Sequence, residues 1–169
     1  MITPRQMKKF YLQGENINLL LKKLQVTEQN TEEIIETSYD LQSGNYISGM
    51  KDKKMAIHKQ EYASEIVQNI LALFEPCSVL EAGVGEATTL AEVIKAFSGN
   101  HFIDFYGFDL CWSRIAYATS YLDKQVDVHA SLCTGSLFEI PFLDSSIDIV
   151  YTSHSIEPNG GFEEPILPS

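Results

Sequence analysis

At 169 residues, 44% of them apolar and with a mean hydropathy of −0.07, the chain has the make-up of one soluble globular domain with a real core; it is too short to argue for two. The formal charge of −11 is unevenly placed: residues 1–60 carry nine Lys and Arg against seven Asp and Glu, residues 61–169 three against sixteen. So acidic a body repels phosphate backbones, which removes nucleic acid from the expected partners. The sequence holds no apolar run long enough for a membrane span, and MITPRQMKKF has no secretory apolar stretch behind its basic residues, so no membrane is expected and the cytoplasm is the expected location.

In chain order, apolar residues from Arg5 to Leu24 recur at helical spacing, with Gly14 dividing two short helices. Thr31 followed by Glu32 and Glu33 marks the start of another helix, with Ile34 and Ile35 to bury. The segment SYDLQSGNYISGMKDKK is rich in Gly, Ser and Asn and reads as a loop or lid. From Met55 to Phe74 an amphipathic helix is predicted, with Ile57, Tyr62, Ile66, Ile70 and Leu73 along one face and Pro76 ending it. After Pro76 strand and helix alternate: CSVLEAG, EATTLAEVIKAF, HFIDFYGFDL, CWSRIAYATSYLDK, VDVHASLC and SIDIVYTSHS. That order predicts a Rossmann-like α/β domain over residues 55–169, a parallel sheet with helices on both faces, preceded by a helical extension and lid over residues 1–54.

Cys77, Cys111 and Cys133 are too scattered for a zinc site or a disulfide framework and read as buried free thiols. His58, His101 and His129 have no partner at metal spacing, so no metal is expected. Trp112 and the aromatics of HFIDFYGF read as core.

The informative stretch is VLEAGVGEATTL, residues 79–90. A strand runs into an acid, Glu81, and then a turn where Gly83 and Gly85 let the backbone bend tightly and a ligand approach its amides. Asp109, at the end of the next strand, is placed to accept both hydroxyl hydrogens of a ribose. Glu81 puts a second carboxylate in the same crevice. A dinucleotide pyrophosphate would be repelled there and a cationic amino-acid tail attracted, which favours S-adenosylmethionine over NAD.

At these residues the chain resembles the class I S-adenosylmethionine-dependent methyltransferases. LEAGVGEAT is similar to their acid-plus-glycine motif, GFDLCWSRI to their second motif, and GSLFEIPFLDSSIDIVYTSHSIEP to the run from third strand to fourth; the resemblance covers residues 37 to 160. It implies that Glu81, Ala82, Gly83 and Gly85 line the methionine part of the cofactor, that Asp109 holds the ribose, and that Leu110, Ser136 and Leu137 border the adenine. Tyr39 and Tyr46 become candidates for a lid over it, the alternative being that both pack on the helix from Met55. Ala87 replaces a frequent third glycine, a mild change on size, and Ser136 replaces a frequent Asp or Asn.

His154 and Glu157 follow the fourth strand at the crevice rim, where either could take a proton from an acceptor or position it. The leading expectation is therefore methyl transfer to a small-molecule acceptor, carbohydrate-like or another metabolite. A domain that binds the cofactor without turnover is the alternative, and an NAD oxidoreductase the third. The family fold has further strands that this sequence lacks, so the chain reads as carboxyl-terminally incomplete with an open sheet edge, which a homodimer is one way to cover.

Overall fold

The computed structural model describes residues 3–27, 31–97 and 102–156. Four helices precede the sheet region: α1 (Pro4–Leu12), α2 (Ile17–Gln25), α3 (Glu32–Gln42) and α4 (Asn45–Gly49). The first three start as the sequence dictates. Thr3 forms a capping box with Gln6, Asn16 accepts from the Leu19 amide at 3.1 Å, and Thr31 from the Ile34 amide at 3.3 Å. Met7, Ile17, Leu21 and Ile34 form an apolar cluster of their own.

Then follow α5 (Lys53–Leu73), β1 (Ser78–Ala82), α6 (Thr88–Ala96), β2 (Asp104–Asp109), α7 (Trp112–Gln125), β3 (Ala130–Thr134) and β4 (Ile149–Thr152). All pairings are parallel and the strand order is β3-β2-β1-β4, so β1 lies between β2 and β4. The order reverses beside β1, which opens the ligand crevice at its carboxyl end. Asp148 fastens the other end, accepting from the amides of Cys77 at 2.8 Å and Ser78 at 3.0 Å.

The pleat sends alternate residues to opposite faces. Val79 and Phe105 join the helical core with Ala63, Val67, Leu90 and Ala118, whereas Leu80, Ala82 and Phe108 pack with Leu137, Phe142 and Ile147. Among the described residues, helices α5, α6 and α7 therefore occupy one face, and the connection between β3 and β4 covers part of the other. Val150, on that second face, is 56% exposed. Gly107 sits where a side chain has little room: a Cβ there would lie 2.9 Å from both Leu132 Cδ2 and Val84 Cγ2.

Several expectations are corrected. The segment read as a loop is mostly helical, as the last turn of α3 and then α4. Of the predicted face of α5, Ile70 is buried and Ile66 packs against the core, with Ala63 and Val67 completing the stripe, while Ile57 and Leu73 are exposed. Trp112 opens α7 on its solvent side at 71% exposure, Phe102 lies outside the strand, and Cys77 is exposed rather than buried. His101 lies outside the described residues. Among those described, no helix is long and apolar enough to cross a membrane.

Gly107→Ala is expected to lower the unfolding free energy by about 1–3 kcal/mol through overpacking, read from the urea midpoint. An unchanged midpoint would mean that the β2–turn contact is looser than described.

Candidate functional site

A cavity of about 180 Å³ opens at the carboxyl ends of β1, β2 and β4, with α3 and α4 contributing to its wall. Its floor is the turn between β1 and α6, and β2 holds that turn. The amides of Gly83 and Val84 both donate to the Phe108 carbonyl, at 2.9 and 2.8 Å, and the Gly85 amide donates to Asp109 Oδ2 at 2.8 Å. The Cys111 amide donates to Asp109 Oδ1 at 3.0 Å. Asp109 thus fixes the turn before it meets any ligand. A carboxylate offers about four acceptor sites, so two remain at the cavity wall.

Gly83 has φ +74°, and a Cβ on it would stand 2.0 Å from Ser155 Oγ, which donates to the Gly83 carbonyl at 3.0 Å. Only glycine meets both demands. Ala87 also adopts a left-handed backbone, with φ +57°. Its substitution for glycine is therefore not merely a matter of size, because the Cβ costs about 1–2 kcal/mol in that region. The methyl is fully buried in the helical core, which offsets the strain.

Glu81 lies mid-sheet, in register with Gly107 on one side and Tyr151 on the other, and is 1% exposed. Burial pushes its carboxyl up to about 8, against the pull of a Tyr151 hydroxyl donating at 3.2 Å and the nearby Lys59 ammonium; Asp109 adds to the rise. Burial first, and then Glu81, holds the Tyr151 hydroxyl well above its ordinary value. Lys59, half-buried on α5, is pushed down by burial and donates to Thr89 Oγ1 at 2.7 Å. Glu81 and Asp109 line the same cavity, so the two acids open on one space.

Of the other residues singled out from sequence, Leu110 and Leu137 line the cavity, while the Ala82 side chain lies in the apolar cluster with Leu80 and Phe108. Ser136 also lines it, but its hydroxyl donates to Glu32 of α3 and accepts from the Phe138 amide at 3.1 Å. Tyr39 and Tyr46 reach the cavity too. The Arg114 guanidinium carbon lies over both rings, 4.6 and 5.1 Å from their centres. His154 stands exposed on the rim with φ +61°, its ring 6.1 Å from that of Tyr62. Glu157 lies outside the described residues.

Four charged residues of the cavity escaped the sequence reading: Glu32, Lys59, Glu86 and Arg114. Glu86, 2% exposed, accepts from the amides of Gly44 and Ile47, each at 2.8 Å, and so caps α4 from the glycine turn. Gly44 at φ +93° has no capping side chain of its own. Arg114 is 8% exposed, and among the described residues it has no ion pair and no acceptor for its Nε. Stacking on tyrosine contributes about 0.5–2 kcal/mol, less than the several kcal/mol that burying an unpaired ion costs. The one sequence signal was scarcity, since Arg114 is one of three cations in residues 61–169.

No protein-family model matches the sequence, and a search of curated proteins gives no significant match. Among solved structures, the magnesium protoporphyrin IX methyltransferase ChlM of Synechocystis PCC 6803, with bound S-adenosylhomocysteine, superposes with a TM-score of 0.52 at 14% identity over 72% of this chain and 57% of that one. The fold is that of a class I S-adenosylmethionine-dependent methyltransferase. DesVI of Streptomyces venezuelae gives 0.45 at 22% identity, covering 56% of this chain and 36% of its own. The plantazolicin methyltransferase BpumL, in complex with S-adenosylhomocysteine, gives 0.46 at 16% identity, covering 62% and 38%. The chain spans between 36% and 57% of the length of these three proteins. Within this methyltransferase fold, the glycine turn and both acids stand at the carboxyl ends of the strands.

Glu86→Ala removes the outside cap of α4. Hydrogen exchange at the Gly44 and Ile47 amides is expected to accelerate by about 10- to 100-fold, the equivalent of 1–3 kcal/mol for unsatisfied buried donors. Exchange at the wild-type rate would show that α4 holds without Glu86.

Proposed function

We propose that the chain binds S-adenosylmethionine in this crevice and serves methyl transfer to a small-molecule acceptor. The observation that carries the reading is the pair of buried carboxylates, Glu81 and Asp109, lining one cavity above a glycine turn. The residues present fit the cofactor: Glu81 for an ammonium group, the free acceptor sites of Asp109 for ribose hydroxyls, and Leu110 with Leu137 for the adenine. When bound, the cofactor supplies an electrophilic methyl group on a sulfonium.

The protein's own part is to orient and to exclude water. Tyr39 and Tyr46, on helices tied to the turn through Glu86 and Arg114, wall off the crevice. His154, on the rim, takes or positions an acceptor proton. Its left-handed backbone is a strained conformation of the kind that clusters at functional sites.

The sign of the pH dependence follows from Glu81. With its carboxyl near 8, the empty site carries a proton at neutral pH. An ammonium favours the carboxylate, so binding expels that proton below pH 8 and the affinity rises with pH. Calorimetry with S-adenosylhomocysteine is expected to show up to about tenfold tighter binding per pH unit between pH 6 and 8, flattened in Glu81→Gln. A flat wild-type profile, or preferential binding of NAD, would overturn the reading. Methyl release to a panel of small acceptors separates an enzyme from a module that only binds.

A further inference from the structure

Arg114 has the geometry of a receptor awaiting an anion. It rises from the first turn of α7 to the seam between the glycine turn and α4, where a Cβ on Gly85 would lie 3.5 Å from the guanidinium carbon. Tyr39 and Tyr46 flank the guanidinium. The guanidinium carries its N–H donors in its own plane, and the two ring contacts give them no oxygen acceptor. Nε is buried with no acceptor, and the residue lines the cavity.

The neighbouring carboxylates are engaged elsewhere. Glu86 holds the Gly44 and Ile47 amides, Asp109 the Gly85 and Cys111 amides, and Glu81 the Tyr151 hydroxyl. Lys59, the other cation of the cavity, donates to Thr89 and interacts with Glu81. Among the described residues, a planar cation thus lines the cavity with no carboxylate at ion-pair distance.

We propose that Arg114 forms an oxyanion subsite, taking a carboxylate or phosphate group of a cavity ligand in the plane of its guanidinium. Two sources fit that chemistry. One, which rests on the cofactor reading above, is the amino-acid carboxylate of the adenosyl ligand. The other is an acidic group on the methyl acceptor. Either way Tyr39 and Tyr46 set the plane of recognition, and the Glu86-capped helix brings Tyr46 into place.

The test titrates the full chain with S-adenosylhomocysteine, with 5′-deoxy-5′-methylthioadenosine, which lacks the amino-acid tail, and with inorganic phosphate at matched ionic strength. The wild-type Arg114 Nε–H resonance is followed by nitrogen-edited NMR, and affinities are compared with Arg114→Lys and Arg114→Met. A cofactor carboxylate predicts that S-adenosylhomocysteine moves the resonance and that Arg114→Met weakens it about tenfold, leaving methylthioadenosine unchanged. An acceptor anion predicts that phosphate moves the resonance and that only phosphate binding is lost. Arg114→Lys, which keeps the charge without the planar fork, falls between wild type and Met in either case. A resonance indifferent to both ligands overturns the proposal without recourse to a variant, as does an Arg114→Met protein that binds all three as wild type does. Failure of both adenosyl compounds to bind wild type would sink the cofactor reading alone, and phosphate would still decide Arg114.

Discussion

A carboxylate buried in the middle of a parallel sheet is expensive, and the arrangement around Glu81 is organised by that expense. Its neighbours in register are a glycine, which offers it nothing, and Tyr151, which offers one hydrogen bond. Lys59 approaches but is itself half-buried, pushed down by its surroundings and engaged with Thr89. Burial outweighs these partners and pushes its carboxyl up to about 8. A core built for stability alone would place an apolar side chain there, since apolar replacements of buried charges are often neutral or stabilising.

The second acid has a structural duty besides lining the cavity. Asp109 ties the glycine turn to β2 through Gly85 and α7 to the same strand end through Cys111, so the crevice is rigid at its floor. Glu86 extends the rigidity upward by capping α4. The glycine turn and α4 are thereby one hydrogen-bonded unit. Arg114 lies inside it, stacked on a tyrosine from each of α3 and α4.

What could be read from sequence was what is local. Strand-to-helix alternation, the glycine turn and the acids at strand ends depend on neighbours along the chain, and the fold follows them closely. The α4 helix was illegible because its cap comes from residue 86, about forty positions away. Glu32 and Ser136 meet across an even longer separation, so a hydroxyl expected to border the adenine is instead a partner of α3. Ala87 shows the converse: the motif suggested a harmless size change, whereas the backbone angle makes it a strained position. The buried face of α5 was legible at Ile66 and Ile70, whereas Ala63 and Val67 complete it and the apolar Ile57 and Leu73 face outward.

The central claim is that Glu81 is a protonated acid awaiting a cation, and its carboxyl carbon reports this directly. Carbon-13 NMR of the side-chain carboxyl at pH 7, assigned with Glu81→Gln, should give the chemical shift of a protonated acid in the free protein and of a carboxylate once S-adenosylmethionine is added. A signal already ionised in the free protein, or one that stays protonated in the presence of saturating cofactor, would contradict the account.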